Sequence, residues 1–290
     1  MKQLILTLSI LLAACSQEIP QTFSPVVPTE VIPTQTESPI IEPTLTIVPT
    51  VSFSPASPLP AGPVTLLALG DSLTQGDGDE TGRGYAGRLL DMVNLVRPGS
   101  SMANFGQSGW NSDALINGDQ GLSGQLERAV SELEAAKSQG RAAVALVWIG
   151  SNDLWYLYEY GGDGSDEGDA QDAAHFAENL DTIFTQLRST GAQVVIALLD
   201  DQSKRPVALK GEAFTSITPD ELNRMSVQVT RYNSIIIEKA ARYGALTVDF
   251  YSTDIFTNPA TLYDDGNHPN SAGYDIVAQK WYDALSLIMK

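Results

Sequence analysis

Five short apolar runs, each followed within a few residues by a polar segment, limit what residues 64–290 can fold into. Val64–Leu69, Met102–Phe105, Ala142–Ile149, Ala192–Leu199 and Leu246–Phe250 read as strands. The first, third and fourth are apolar almost throughout, the pattern of strands buried on both faces, as in a parallel sheet. Between the runs, Tyr85–Val96, Leu122–Lys137, Ala170–Arg188 and Pro219–Tyr243 have helical spacing, and Ala272–Met289 makes a closing helix. Pro219 follows Thr218, which places a good N-cap before a proline at the first helical position. The alternation predicts an α/β fold, a doubly wound sheet with helices on both faces. In such sheets ligands bind beyond the carboxyl ends of the strands.

The first 63 residues follow different rules. Met1–Cys15 has a basic Lys2, an apolar run from Leu4 to Leu12, and small Ala13 and Ala14 before Cys15, the layout of a secretory signal. The run is shorter than the ~20 residues of a membrane span. Leu12-Ala13-Ala14-Cys15 resembles a bacterial lipobox, in which the cysteine is lipidated and becomes the first residue of the mature chain. The expectation is an exported cell-envelope lipoprotein, held to a membrane through Cys15 and facing the extracytoplasmic side. Cys15 is the single cysteine, so the mature chain has no disulfide.

Residues 16–63 hold 11 of the 16 prolines, seven threonines, four Glu and no basic residue. The segment reads as an extended disordered linker that reaches at most about 150 Å, and glycosylation on its threonines is one further reading. Residues 64–290 are then one domain of ordinary α/β size.

The full chain carries 35 acidic and 17 basic side chains, a net charge of -18. With Lys2 and the linker glutamates set aside, about -15 remains on the domain. Such a field repels polyanions and excludes a nucleic-acid partner. A monomer is expected.

Chemistry-bearing residues fall after the apolar runs. Gly70-Asp71-Ser72-Leu73 follows the first, and Asn104-Phe105-Gly106-Gln107-Ser108-Gly109 straddles the end of the second. Gly150-Ser151-Asn152-Asp153 follows the third, and Asp265-Gly266-Asn267-His268-Pro269 precedes the closing helix. Of the two histidines, His175 lies in a helical stretch and reads as a solvated residue. His268 is held out of helical backbone by Pro269, with Asp265 three residues back to fix its tautomer and leave Nε2 as a base. A metal ligand or a simple turn would give the same short pattern, but no partner cluster completes a zinc site.

Ser72, at the end of a buried strand, would be the nucleophile of a Ser72-His268-Asp265 relay. Oxyanion donors would be Ser72 N–H, Gly106 N–H and the Asn152 amide, although turn chemistry alone also accounts for Gly106 and Asn152. No G-x-S-x-G elbow is present, which argues against the ordinary α/β-hydrolase fold.

Taken in order, GDSLT at 70–74, NFGQSG at 104–109, GSND at 150–153 and DGNHPN at 265–270 resemble the SGNH/GDSL hydrolase family. The resemblance spans essentially all of residues 64–290. It implies a flavodoxin-like three-layer α/β/α sandwich with a five-stranded parallel sheet, and ester hydrolysis without metal or other cofactor. It also implies Ser72 as nucleophile, His268 as base, Asp265 as its orienter, and Gly106 and Asn152 as oxyanion donors.

The expected substrate is a small-molecule, carbohydrate or lipid ester. Short acyl or carbohydrate-linked esters come first, and a lysophospholipase or thioesterase acting on longer chains second. A tethered, non-catalytic binding protein is the third reading, but it has no use for Ser72, Asp265 and His268 together. Trp155, Tyr156, Tyr158 and Tyr160 follow Asn152 and read either as a ring platform or as a helix start packed on the core. The acidic stretch 161–172 has calcium-loop character at Asp163, Ser165, Glu167 and Gly168, but Ala174 stands where the closing carboxylate belongs. Lys204, Arg205 and Lys210, after the fourth strand, read as solvated loop charges or as contacts for an anionic group at the rim.

Overall fold

Strand β1 (Val64–Gly70) is buried along nearly its whole length. In the computed structural model, which describes residues 53–159, 164–211 and 215–290, β1 pairs in parallel with β2 (Ser101–Asn104) on one side and β3 (Ala142–Trp148) on the other. Strand β4 (Gln193–Leu198) pairs with β3, and β5 (Leu246–Asp249) pairs with β4. The result is a five-stranded parallel sheet of order β2-β1-β3-β4-β5, as the alternating runs predict. The signal, Cys15 and residues 16–52 of the linker, together with Tyr160 and Gly161–Asp163, lie outside the described residues.

Helices α2 (Gly84–Val96) and α9 (Ser271–Ser286) pack together on one face of the sheet. The other face carries α4 (Gln125–Ser138), α6 (Asp166–Ser189) and α8 (Pro219–Tyr243). Short helices α1 (Ser72–Gln75), α3 (Ser112–Asn117), α5 (Ser151–Glu159) and α7 (Pro206–Lys210) occupy the connections. Thr218 caps α8 through a full capping box with Glu221, and Pro219 opens the helix. Under the α2/α9 layer, Trp148 stacks on Phe250 at 4.2 Å between ring centroids, and Tyr85 stacks on Trp281 at 5.5 Å.

Several expected boundaries move: α6 begins at Asp166 rather than Ala170, and α9 ends at Ser286 rather than Met289. The helix expected from Leu122 begins at Gln125, because Leu122 closes a bridge with Asp119. More consequentially, residues 53–63, expected in the linker, pack onto the domain. Leu59 is buried and its N–H donates to Ile288 O at 2.7 Å. The Arg97 guanidinium donates to Pro60 O and Gly62 O at 2.5 and 3.1 Å, and that of Arg188 donates to Ser54 O at 2.9 Å. Prolines lack an N–H but keep their carbonyls, so a proline-rich strap suits arginine donors.

Candidate active site

The sheet order puts the turn after β1 beside those after β2 and β3, at the switch point where ligands bind in this architecture. At that point β1 ends on Gly70, where an added Cβ would sit 2.1 Å from Trp148 O, so only glycine lets the two strand ends approach. The buried Gln125 side chain grips the same residue, accepting from Gly70 N–H and donating to Gly70 O, both at 2.8 Å. Asp71 then caps α1, its Oδ1 accepting from Leu73 N–H at 2.9 Å. Ser72 is therefore the first residue of a helical turn, and among the described residues its N–H has no internal partner.

His268 reaches Ser72 from the far end of the domain sequence. Its Nε2 lies 2.9 Å from Ser72 Oγ, and its Nδ1 lies 2.7 Å from Asp265 Oδ2. Asp265 Oδ1 also accepts the backbone N–H groups of Asn267 and His268, at 2.8 and 2.9 Å. Burial raises the Asp265 pKa, but these donors outweigh it and hold the carboxyl down at about 2. Asp265 is thus a carboxylate at neutral pH, and the bond from His268 places the Nδ1 proton on the carboxylate side and leaves Nε2 open toward the hydroxyl.

The expected oxyanion donors divide. Asn152 Nδ2 donates to Trp110 O at 2.8 Å, which spends one of its two hydrogens and aims the amide at the loop after β2. Gly106 N–H is already taken, donating to Asn104 Oδ1 at 2.9 Å. A Cβ on Gly106 would lie 2.3 Å from Gln75 N, so this glycine serves the close approach of the loop to α1. Asn104 completes that contact by donating to Thr74 O at 2.7 Å. Gly109, three residues on in the same motif, is exposed, and among the described residues its N–H makes no hydrogen bond. Its carbonyl accepts from Tyr156 at 2.5 Å, next to the Trp110 carbonyl that holds Asn152. Gly106 N–H is thus spent within the loop whereas Gly109 N–H is not, and nothing in NFGQSG tells which N–H the Asn104 side chain occupies.

Several supporting residues carry no motif of their own. Asp79 accepts from Thr81, from the Arg83 and Gly84 N–H groups and from Arg88, which also reaches Ser271 at the start of α9. This fixes the glycine-rich loop whose Gly78 lies against His268. Asp153 accepts from the N–H and hydroxyl of Ser112, and Asn179 donates to that hydroxyl at 2.8 Å. His175 is exposed, as expected, but is bound to Asp113 at 2.9 Å rather than solvated alone.

Arg205 corrects a second expectation. It is almost fully buried, ion-paired with Asp200 at 2.6 Å, and faces the His268 turn. Lys204 is exposed and pairs with Asp201 at 2.9 Å. Trp155 and Tyr158 pack against Val207, Ala208 and Met225, so they are core and not a ring platform. Ser165 caps α6, and Glu167 lies in its first turn.

Burial pushes Asp71 up to about 7, against the pull of Leu73 N–H, Arg205 and His268. Between the ordinary carboxylate range and about 7 the folded chain holds a proton that the unfolded chain has released, so stability falls as pH rises through that window. Asp71→Asn keeps the capping acceptor and removes the titration. Urea unfolding at about pH 5 and about pH 8 will show the variant gaining on wild type as pH rises, by about 1.4 kcal/mol for each pH unit inside the window. A difference independent of pH contradicts the burial argument.

A hydroxyl, an imidazole and a carboxylate aligned at the carboxyl end of a parallel sheet, with N–H donors beside them, define the α/β hydrolases that lack a nucleophile elbow. The chain belongs to the GDSL-like lipase/acylhydrolase family, whose pattern matches residues 68–276, and is therefore an ester-hydrolysing acylhydrolase. It is similar to the uncharacterized protein YpmR of Bacillus subtilis, with 24% identity over 229 residues, covering 77% of this chain and 81% of that one. It is also 24% identical over 269 residues to a multidomain esterase of Ruminococcus flavefaciens, covering 83% of this chain but only 31% of that longer protein. Among solved structures, an acetyl xylan esterase from Geobacillus stearothermophilus superposes with a TM-score of 0.51 at 19% identity, over 78% of this chain and 96% of that one. That likeness establishes the shared fold.

Proposed function

We propose that the chain is a serine esterase acting through an acyl-enzyme on short-acyl, carbohydrate-linked esters, displayed on the cell envelope through a lipid on Cys15. The observation that carries the reading is the Ser72–His268–Asp265 alignment, at 2.9 and 2.7 Å. Ser72 Oγ attacks the ester carbonyl carbon while its proton passes to His268 Nε2. The carbonyl π pair moves onto oxygen, facing Ser72 N–H, Gly109 N–H and the remaining Asn152 amide hydrogen, with Gly109 in the role expected of Gly106. Collapse breaks the bond to the alcohol, which leaves with the proton from His268. Water then repeats the sequence on the acyl-serine, with His268 again as base.

Two exposed tyrosines flank the relay and support a sugar-bearing substrate. Tyr156 is anchored on Gly109 O, and Tyr263 donates its N–H to His268 O at 2.9 Å. Each presents an apolar face with a polar tip, the surface on which a pyranose ring stacks. The name of the Geobacillus protein, an acetyl xylan esterase, agrees with that choice.

An acyl series from p-nitrophenyl acetate to decanoate, run beside an acetylated xylooligosaccharide, tests the substrate. The expected kcat/KM is highest for acetyl esters and falls at least about tenfold by decanoate. A rise with chain length replaces this reading with a long-chain acylhydrolase.

A further inference from the structure

Arg205 stands behind the turn that carries both Asp265 and His268. Its guanidinium is bidentate to Asp200, with Nε and Nη2 at 2.8 and 2.6 Å, and lies 4.5 Å over the Phe256 ring. The remaining nitrogen, Nη1, donates to Asn267 Oδ1 at 2.8 Å. The next residues extend the contact, since Val207 N–H donates to Gly266 O at 3.1 Å. With Nε and Nη2 engaged by one carboxylate, this buried arginine turns Nη1 to Asn267, whose Oδ1 accepts at 2.8 Å and whose backbone O accepts at 3.4 Å.

The donor chemistry of that contact reaches one residue further along the turn. A guanidinium only donates, so it accepts nothing from an amide N–H. Asn267 must therefore turn its oxygen to Arg205 and its nitrogen the other way. That nitrogen, Nδ2, lies 3.4 Å from His268 Nε2, the atom that faces Ser72. An amide NH2 only donates, so it favours Nε2 as a lone-pair acceptor and opposes a proton there.

We propose that Arg205 and Asn267 form a polarity lock on the His268 imidazole: Arg205 fixes which end of the Asn267 amide faces Nε2, and so keeps that nitrogen an acceptor for the Ser72 hydroxyl. Both are positioning residues, and the proposal rests on the Ser72–His268–Asp265 reading. The lock keeps the Nε2 lone pair turned to donors, the Ser72 hydroxyl among them. It also hastens proton return to the leaving alcohol, because the imidazolium faces an N–H donor across from Nε2. Among the described residues, charged groups near the imidazole include Asp265 on its own turn and Asp71 at the end of β1, and Asp77 precedes the Gly78 that lies against His268. None of these is altered by the substitutions below.

The test uses the full chain with p-nitrophenyl acetate and three variants. Asn267→Asp keeps an acceptor for Arg205 but presents a carboxylate oxygen to Nε2, which stabilises a proton on it. The acid limb of kcat/KM is expected to move to higher pH by at least about half a unit. Arg205→Met releases the Asn267 amide to reverse, and is expected to move the limb in the same direction. In that variant kcat should fall about tenfold or more while KM stays within about twofold. Acid limbs that superimpose on the wild type in both variants overturn the lock, whatever the loss of rate, because a merely structural role lowers activity without moving the limb. If Arg205→Met does not fold, Asn267→Asp decides alone. Ser72→Ala separates the two levels: full activity in that variant removes the catalytic reading and the lock with it, whereas inactivity beside unmoved limbs removes the lock only.

Discussion

Ser72→Ala is expected to lower ester hydrolysis by about 10⁴-fold or more while leaving thermal unfolding nearly unchanged. The size follows from what the hydroxyl does. Serine is a weak nucleophile whose attack depends on a base positioned to take its proton, and His268 Nε2 lies 2.9 Å away. Removing the oxygen removes the covalent route entirely and leaves only whatever rate the N–H donors give to attack by water. The stability expectation comes from the same geometry. Ser72 is half-buried, and among the described residues its hydroxyl bonds to His268 alone, while α1 is held by its Asp71 cap and by the Asn104 bond to Thr74 O. A variant that loses activity only by unfolding would show it in the melting curve.

Asp265→Asn has the second largest expected effect, a fall in kcat of about 10⁴-fold with the fold retained. The carboxylate accepts Nδ1–H from His268 and two backbone N–H groups. An amide in its place can keep Oδ1 on the backbone donors, and its NH2 then meets Nδ1. The imidazole answers by carrying its proton on Nε2, the wrong tautomer for a base opposite Ser72. The wild-type carboxyl, held at about 2, stays ionised through the neutral and mildly acidic range, and its contribution to stability is lost progressively as pH falls from the ordinary carboxylate range to about 2. A loss smaller than about tenfold in the variant would mean that Asp265 only shapes the turn.

The architecture is legible in the sequence because buried parallel strands write themselves as nearly continuous apolar runs, and β1, β3 and β4 do so within a residue of their observed ends. Ser72, Asn152 and His268 are legible for a related reason: each stands just after a strand or before a proline, where backbone geometry narrows what a polar residue can be doing. Residues whose roles depend on partners distant in sequence are harder. Arg205 reads as a loop charge because Asp200, Asn267 and Phe256 come together around it only in the folded chain. Gly106 and Gly109 are chemically alike, and only the Asn104 side chain distinguishes the N–H that is spent from the one that is free. The strap at 53–63 looks like linker because composition counts its prolines but not the carbonyls that Arg97 and Arg188 seize.

The mass of the protein after reaction with a fluorophosphonate tests most directly whether Ser72 is the nucleophile. One adduct is expected on the wild type, mapped to the peptide containing Ser72, and none on Ser72→Ala. Wild type that stays unlabelled while hydrolysing ester, or an adduct on any other residue, would contradict that role.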